Sequence, residues 1–321
     1  MSAYSQQHWY GAAGFLFVSI VLTFVTVGSE GKLPPTLSGS QGRATGVVAE
    51  KMWAEHKTAQ VQKPADYFVD QDHSGYLGFT IERRFRKVFL EGNGESKGIW
   101  VDVAFIKLKN RKRLVKTFDA DVYFGMGNSA DFSYFPFLGD GQKQLFVSQD
   151  VFRGGRQWVA RLTPSFKVLF DGDKLGVGRE GHDLSVVDLD DDGTFEIMVW
   201  VTDTYEFHDK MSVSQIPLPT IIFKYDPELE TYRPANAQFK NYIYEDIEQV
   251  AAPDSTLNMD QRSTILNNLF IYIYAGEKKR AWKFFDQNYQ LNDKEEVRSR
   301  VKEMLRTQPV YNLIYKRGKR K

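Results

Sequence analysis

Residues 131–148 (DFSYFPFLGDGQKQLFVS) align without gaps on residues 183–200 (DLSVVDLDDDGTFEIMVW), 52 positions further along the chain. Asp131 matches Asp183, Ser133 matches Ser185, and Asp140-Gly141 match Asp192-Gly193. The apolar run Leu145-Phe146-Val147 falls on Ile197-Met198-Val199. A fixed period near 50 residues means that one supersecondary unit is used again, so the chain must fold as stacked copies of a strand-turn-strand element. The strands expected in the later copy are about 183–188, 194–202, 219–225 and 230–235. In the earlier copy they are about 131–137, 143–149, 156–163 and 165–170. A weaker unit precedes them near 99–108 and 113–124. Runs of Val, Ile, Phe, Tyr and Trp bounded by Gly and Asp support strands in each place.

Inside the later copy, residues 188–196 read DLDDDGTFE. Alternate residues of a tight loop point inward, so Asp188, Asp190 and Asp192 can present carboxylates to one point. Gly193 permits the backbone turn, and the carbonyl of Thr194 and the carboxylate of Glu196 are further oxygen ligands. Such an oxygen-only set suits calcium, which takes six to eight hard ligands at flexible geometry. No His or Cys accompanies it, which argues against zinc or redox chemistry. The alternative is an acidic turn whose carboxylates are simply solvated, and Asp191 is expected to face solvent in either case. A second stretch, Asp70-Gln71-Asp72-His73-Ser74-Gly75, has the same alternation with Ser in the fifth place and Gly78 where the closing acid belongs, and reads rather as a polar turn.

The segment HDLSVVDLDDDGTFEIMVW resembles the FG-GAP/VCBS-type repeat of integrin-like β-propellers. The resemblance implies a calcium ion held in a D-x-D-x-D-G-x-x-D/E loop between two strands of a propeller blade. A full propeller of that kind has about seven blades, and 321 residues leave room for three or four. The earlier copy has Pro136, Leu138 and Gln144 in carboxylate places and should hold no cation. The fold expected is therefore mainly β: a partial or small β-propeller-like repeat array, with an N-terminal transmembrane helix and a helical C-terminal segment.

Residues 9–28 (WYGAAGFLFVSIVLTFVTVG) carry no charge. A helix of that length matches the hydrocarbon thickness of a bilayer, and Trp9 and Tyr10 stand where an interfacial aromatic belt belongs. A retained anchor is favoured over a cleaved signal peptide because no Lys or Arg precedes the run; a buried soluble helix is the third option. Lys32 and Arg43 after the helix would place the body in the cytoplasm by the positive-inside rule, whereas a calcium loop favours a periplasmic or extracytoplasmic body, which is the placement adopted.

The organisation that follows is a tail over 1–8, the membrane anchor over 9–28, a linker with a short helix over 29–65, a β-repeat domain over 66–240, a helical cap over 241–315 and a basic tail over 316–321. The linker GKLPPTLSGSQGRATG disfavours helix at Pro34-Pro35. Helices are expected over 259–275, stopped by Gly276, over 277–289, and from Asp293 to about Arg306 with Asp293 and Glu296 forming a capping box. Five of the last six residues are basic, which suits either contact with anionic lipid or an acidic partner, or a solvated tail.

The 42 basic and 41 acidic residues give a net charge of +1, which leaves no basic excess for nucleic acid as the main partner. The chain has no cysteine, which excludes disulfides and thiol catalysis. His182-Asp183 and His208-Asp209 are the only pairs that suggest acid–base work, and no nucleophile elbow, phosphate loop or dinucleotide fingerprint accompanies them. The expectation is a non-enzymatic, membrane-anchored binding or scaffolding protein, an accessory subunit of a membrane complex whose partners are other membrane-protein subunits. Its contact anchors would be drawn from Tyr134, Phe135, Phe137, Tyr205 and Phe207, unless these are core. The alternative is an exported soluble ligand- or carbohydrate-binding module released by signal cleavage.

Overall fold

The computed structural model describes residues 61–90, 98–120, 129–151, 154–178, 184–201, 204, 207, 209–212, 215–250 and 258–315. The apolar segment 9–28, the linker to residue 60, Tyr205, the pairs' His182, Asp183 and His208, and the basic tail 316–321 lie outside the described residues. Among those described, no helix is long and apolar enough to cross a membrane.

The chain is mainly β, with a helical C-terminal segment. Strands β1 (His73–Tyr76), β2 (Phe79–Leu90), β3 (Ile99–Asn110) and β4 (Arg113–Phe118) form a first antiparallel sheet in chain order. A second such sheet consists of β5 (Ala130–Phe135), β6 (Gln144–Val151), β7 (Gly154–Arg161) and β8 (Lys167–Asp171). In the third, β10 (Ser185–Val187), β11 (Glu196–Val201), β12 (Thr220–Asp226) and β13 (Thr231–Pro234) run in chain order, and the short β9 (Val177–Gly178) pairs with β11 beyond the end of β10. Helices α1 (Asn258–Tyr274), α2 (Lys278–Asn288), α3 (Lys294–Thr307) and α4 (Pro309–Tyr315) follow.

Period-two alternation decides what each sheet buries. In β7, Trp158 and Ala160 join Phe132, Leu145 and Val147 in a core shared with Ile81, Ile106, Leu108 and Phe118 of the first sheet. Val159, one residue over, joins Phe146, Phe170, Val199, Ile221 and Phe223 between the second and third sheets. The third sheet turns its other face, with Val187, Met198 and Ile222, to Ile271 of α1 and to Ala275 just past its end. Strand β11 is buried on both faces, which is why Glu196–Val201 reads as an unbroken apolar run after its acid.

The strands expected from the repeat fall within a few residues of those found. Three strands have no counterpart among the expectations: β1, the two-residue β9 and β2, where the charge run in FTIERRFRKVFL hides the alternation. The charges are absorbed by neighbours: Arg86 forks onto Asp119 at 2.9 and 3.2 Å, Lys109 meets Glu82 at 2.7 Å, and Arg83 binds Asp131. Two hairpins turn through two residues with positive φ, Leu77-Gly78 and Arg111-Lys112, the geometry of type I′ turns that suits the strand twist. Only the first has the glycine that would announce it.

The capping box expected at Asp293 is not formed. Asp293 occupies the N-cap of α3 without a side-chain cap bond; its carboxylate instead accepts from Arg262 Nη2 at 2.9 Å and from the Tyr289 hydroxyl at 3.0 Å. A charge-assisted bond to a guanidinium outcompetes a neutral backbone donor.

Candidate cation-binding loop

The 52-residue repeat holds in the backbone of the turns. In the later loop Asp191 and Gly193 have positive φ, 54° and 83°; in the earlier loop Gly139 and Gly141, at the matching places, have 64° and 78°. Thr194 N donates to Asp192 Oδ1 at 2.8 Å, and its counterpart Gln142 N donates to Asp140 Oδ1 at 2.9 Å. Two loops of different sequence thus take one fold.

They also touch. A Cβ on Gly139 would lie 1.7 Å from the Gly193 carbonyl oxygen. Phe195 N donates to Phe137 O at 3.0 Å. The buried Tyr232 hydroxyl donates to both Phe137 O and Phe195 O, at 3.3 and 3.1 Å. At the far hairpin, Glu230 accepts from Arg161 and Lys167, both at 2.8 Å. These bonds join the second sheet to the third.

In the later loop the acids have distinct tasks. Asp188 turns both oxygens to the loop's own backbone, accepting from Asp192 N at 3.1 Å and Gly193 N at 2.8 Å. The other three surround the Lys224 ammonium, which donates to Asp190 at 2.7 and 2.9 Å, to Asp192 Oδ2 at 2.6 Å and to Glu196 Oε1 at 3.2 Å. The remaining Glu196 oxygen accepts from Leu189 N at 2.8 Å. Thr194 contributes its backbone N–H to Asp192. Asp191 is exposed, as expected for a residue outside the ligand set.

The Lys224 ammonium is the residue that sequence reasoning missed. Ile197 pairs with Phe223 across β11 and β12, so Glu196 and Lys224 stand opposite one another. The signal existed only once that register was known, because the connection from 202 to 219 does not fix it. The same position in the second sheet also carries a cation: Leu145 pairs with Ala160, which brings Arg161 opposite Gln144. With no carboxylates in that loop, Arg161 reaches to Glu230 of the neighbouring sheet instead.

Burial and charge oppose each other here. Glu196 is completely buried, and burial pushes its carboxyl up, against the bonds from Leu189 and Lys224. Burial would push Lys224 down, but its bonds to Asp190, Asp192 and Glu196 prevail and hold it above the usual lysine range. Asp192 is likewise held down by Lys224 and Thr194 despite partial burial.

Oxygens of Asp188, Asp190 and Glu196 lie within 4.8 Å of one another. This all-oxygen donor set fits a hard divalent cation. A divalent ion and the Lys224 ammonium would share the same carboxylates and are therefore alternatives.

The stretch Asp70–Gly75 does not form such a loop. Asp72 pairs with Arg83 at 3.3 Å and His73 opens β1. The aromatics expected as contact anchors are mostly core: Phe135, Phe137 and Phe207 are buried in the large core that sheets and helices share. Exposed aromatics are found instead on the long β2–β3 hairpin. Phe85, Phe89 and Trp100 are 61, 47 and 66 % exposed, and Phe89 and Trp100 are cross-strand partners with ring centroids 5.2 Å apart. No protein-family model, curated protein or solved structure matches the chain.

Proposed function

We propose that this chain is a non-enzymatic binding or scaffolding protein, held at a membrane by residues 9–28, with its body on the periplasmic or extracytoplasmic side and other membrane-protein subunits as its partners. The observation that carries the reading is the aromatic face of the β2–β3 hairpin. Phe85 and Phe89 alternate along β2, and Trp100 sits beside Phe89. Large apolar side chains held in water at such exposure mark contact sites, and Trp and Phe are the residues that anchor them. β1 pairs only with the first four residues of β2, so the hairpin's far half extends past β1, accessible to a partner.

The body suits a scaffold. Antiparallel sheets with four strands in up-and-down order, packed in chain order, are how propeller blades are built; the three sheets here, the third with the short β9 added, together with the repeat in residues 183–200, support an open β-propeller-like array of the FG-GAP/VCBS type. Calcium, where bound, would be held by Asp188, Asp190, Asp192, Glu196 and the carbonyl of Thr194. It would supply charge neutralisation for the buried Glu196 rather than chemistry.

The test is to solubilise the full chain in mild detergent and compare the native mass of wild type with that of F89S/W100S. The reading expects a stoichiometric assembly with residues 1–28 intact, reduced to the lone chain by the double substitution at unchanged thermal stability. A soluble single chain beginning near residue 29 would overturn it in favour of an exported binding module.

A further inference from the structure

Residues 278–321 hold 14 Lys and Arg against 5 Asp and Glu, although the whole chain is nearly balanced. Among the described residues these cations fall into two kinds. The arginines among the described residues are committed: Arg280 pairs with Glu277 at 3.0 Å, Arg300 with Asp209 at 2.9 Å, Arg306 with Glu303 at 2.6 Å, and Arg298 with Asp286. Lys278, Lys279, Lys283 and Lys302 are exposed and have no ion pair among the described residues.

Three of these lysines share one surface, and Lys278 stands at its flank. Ala281 and Phe285 define the buried stripe of α2, so Lys279 and Lys283, four residues apart, stand on its outer side. Trp282 flanks them and lies under Lys302 of α3, whose ammonium is 5.5 Å from the ring centroid. Lys278 lies 5.4 and 5.7 Å from the rings of Tyr311 and Tyr315 on α4. The result is a field of unpaired ammonium groups interleaved with Trp and Tyr.

We infer that this face of the helical segment docks on an anionic lipid surface. Ammonium groups are compact, strongly hydrated charges on flexible stems. They suit a diffuse layer of phosphate and carboxylate headgroups, whereas recognition of one fixed acidic group or of a nucleic-acid backbone favours guanidinium forks, and the forks of Arg280, Arg298, Arg300 and Arg306 are already spent within the protein. Trp and Tyr are the side chains that settle at the water–lipid boundary, and each basic group near an anionic leaflet adds to the attraction. The sequence continues from α4 into a tail in which five of six residues are basic. The inference deepens the membrane-bound reading but stands on residues separate from the 9–28 segment.

The experiment is lysine acylation of the full chain in nanodiscs of phosphatidylcholine alone or with one-third phosphatidylserine, read residue by residue by mass spectrometry. The expected result is a severalfold fall in labelling of Lys279, Lys283 and Lys302 on the anionic discs. It is reversed by high salt, while Lys112 and Lys143 of the β body stay unchanged. Equal labelling on both discs would overturn the inference. So would protection by a DNA duplex or polyglutamate but not by discs, which would reassign the face to that polyanion. Failure of the anchor reading looks different: the chain would leave neutral discs during purification whatever its lysines do.

Discussion

Gly139 decides how closely the second and third sheets meet at the repeat turns. Gly139 and Gly141 both have positive φ, but only at Gly139 would a Cβ strike the neighbouring loop. Gly141→Ala should cost about 1–2 kcal/mol, the usual penalty for a left-handed L-residue. Gly139→Ala should cost clearly more, because a backbone carbonyl must also move; urea unfolding of the two variants separates the costs. Lys224 is the second test. Lys224→Met leaves the buried Glu196 carboxylate without its counter-charge and should destabilise by about 3 kcal/mol at neutral pH. Adding Glu196→Gln should return most of the loss. Glu196 has a raised folded pKa, so its carboxyl favours the fold when protonated and disfavours it as pH rises through that value. The K224M defect should therefore shrink on acidification. At this scale the sequence displayed the acids and the glycines, since both lie within nine residues. It could not display Lys224, 28 residues beyond Glu196 and reached only through strand pairing.

At the scale of elements, the segment that follows the third sheet meets the helices through Glu277, between α1 and α2. Glu277 accepts from Lys240 at 2.7 Å and from Arg280 at 3.0 Å. The Lys240 bond above all holds its carboxyl down at about 2. A lowered folded pKa gives stability that is complete above the ordinary value of 4.5 and is lost as pH falls towards 2. Thermal unfolding across that window should thus fall more steeply for wild type than for Glu277→Gln. The helices themselves were readable from their apolar spacing and from Gly276, with its positive φ at the end of α1. The strands of the repeat were readable from their β-branched and aromatic runs. β2 was not, because its core positions, Phe79 and Ile81, precede a charge run whose partners Asp119 and Asp131 are distant in sequence. The Arg111-Lys112 turn carries no glycine to mark it, and β9 is only two residues long.

Across the whole molecule, sheet follows sheet in chain order, and the second and third are joined at their turns by Gly139 against Gly193, by the Tyr232 hydroxyl and by Glu230. The acidic loop sits in that joint, so we expect whatever neutralises its carboxylates to set the stability of the joint. In the structure that charge is Lys224; in our account calcium can take its place. The most direct measurement is calorimetric unfolding of wild type and K224M, each with and without millimolar calcium. The account predicts a small upward shift of Tm in wild type, where calcium must displace an ammonium, and a larger one in K224M, where it restores the missing charge. Calcium that leaves both transitions unmoved, or that fails to rescue a destabilised K224M, would contradict it.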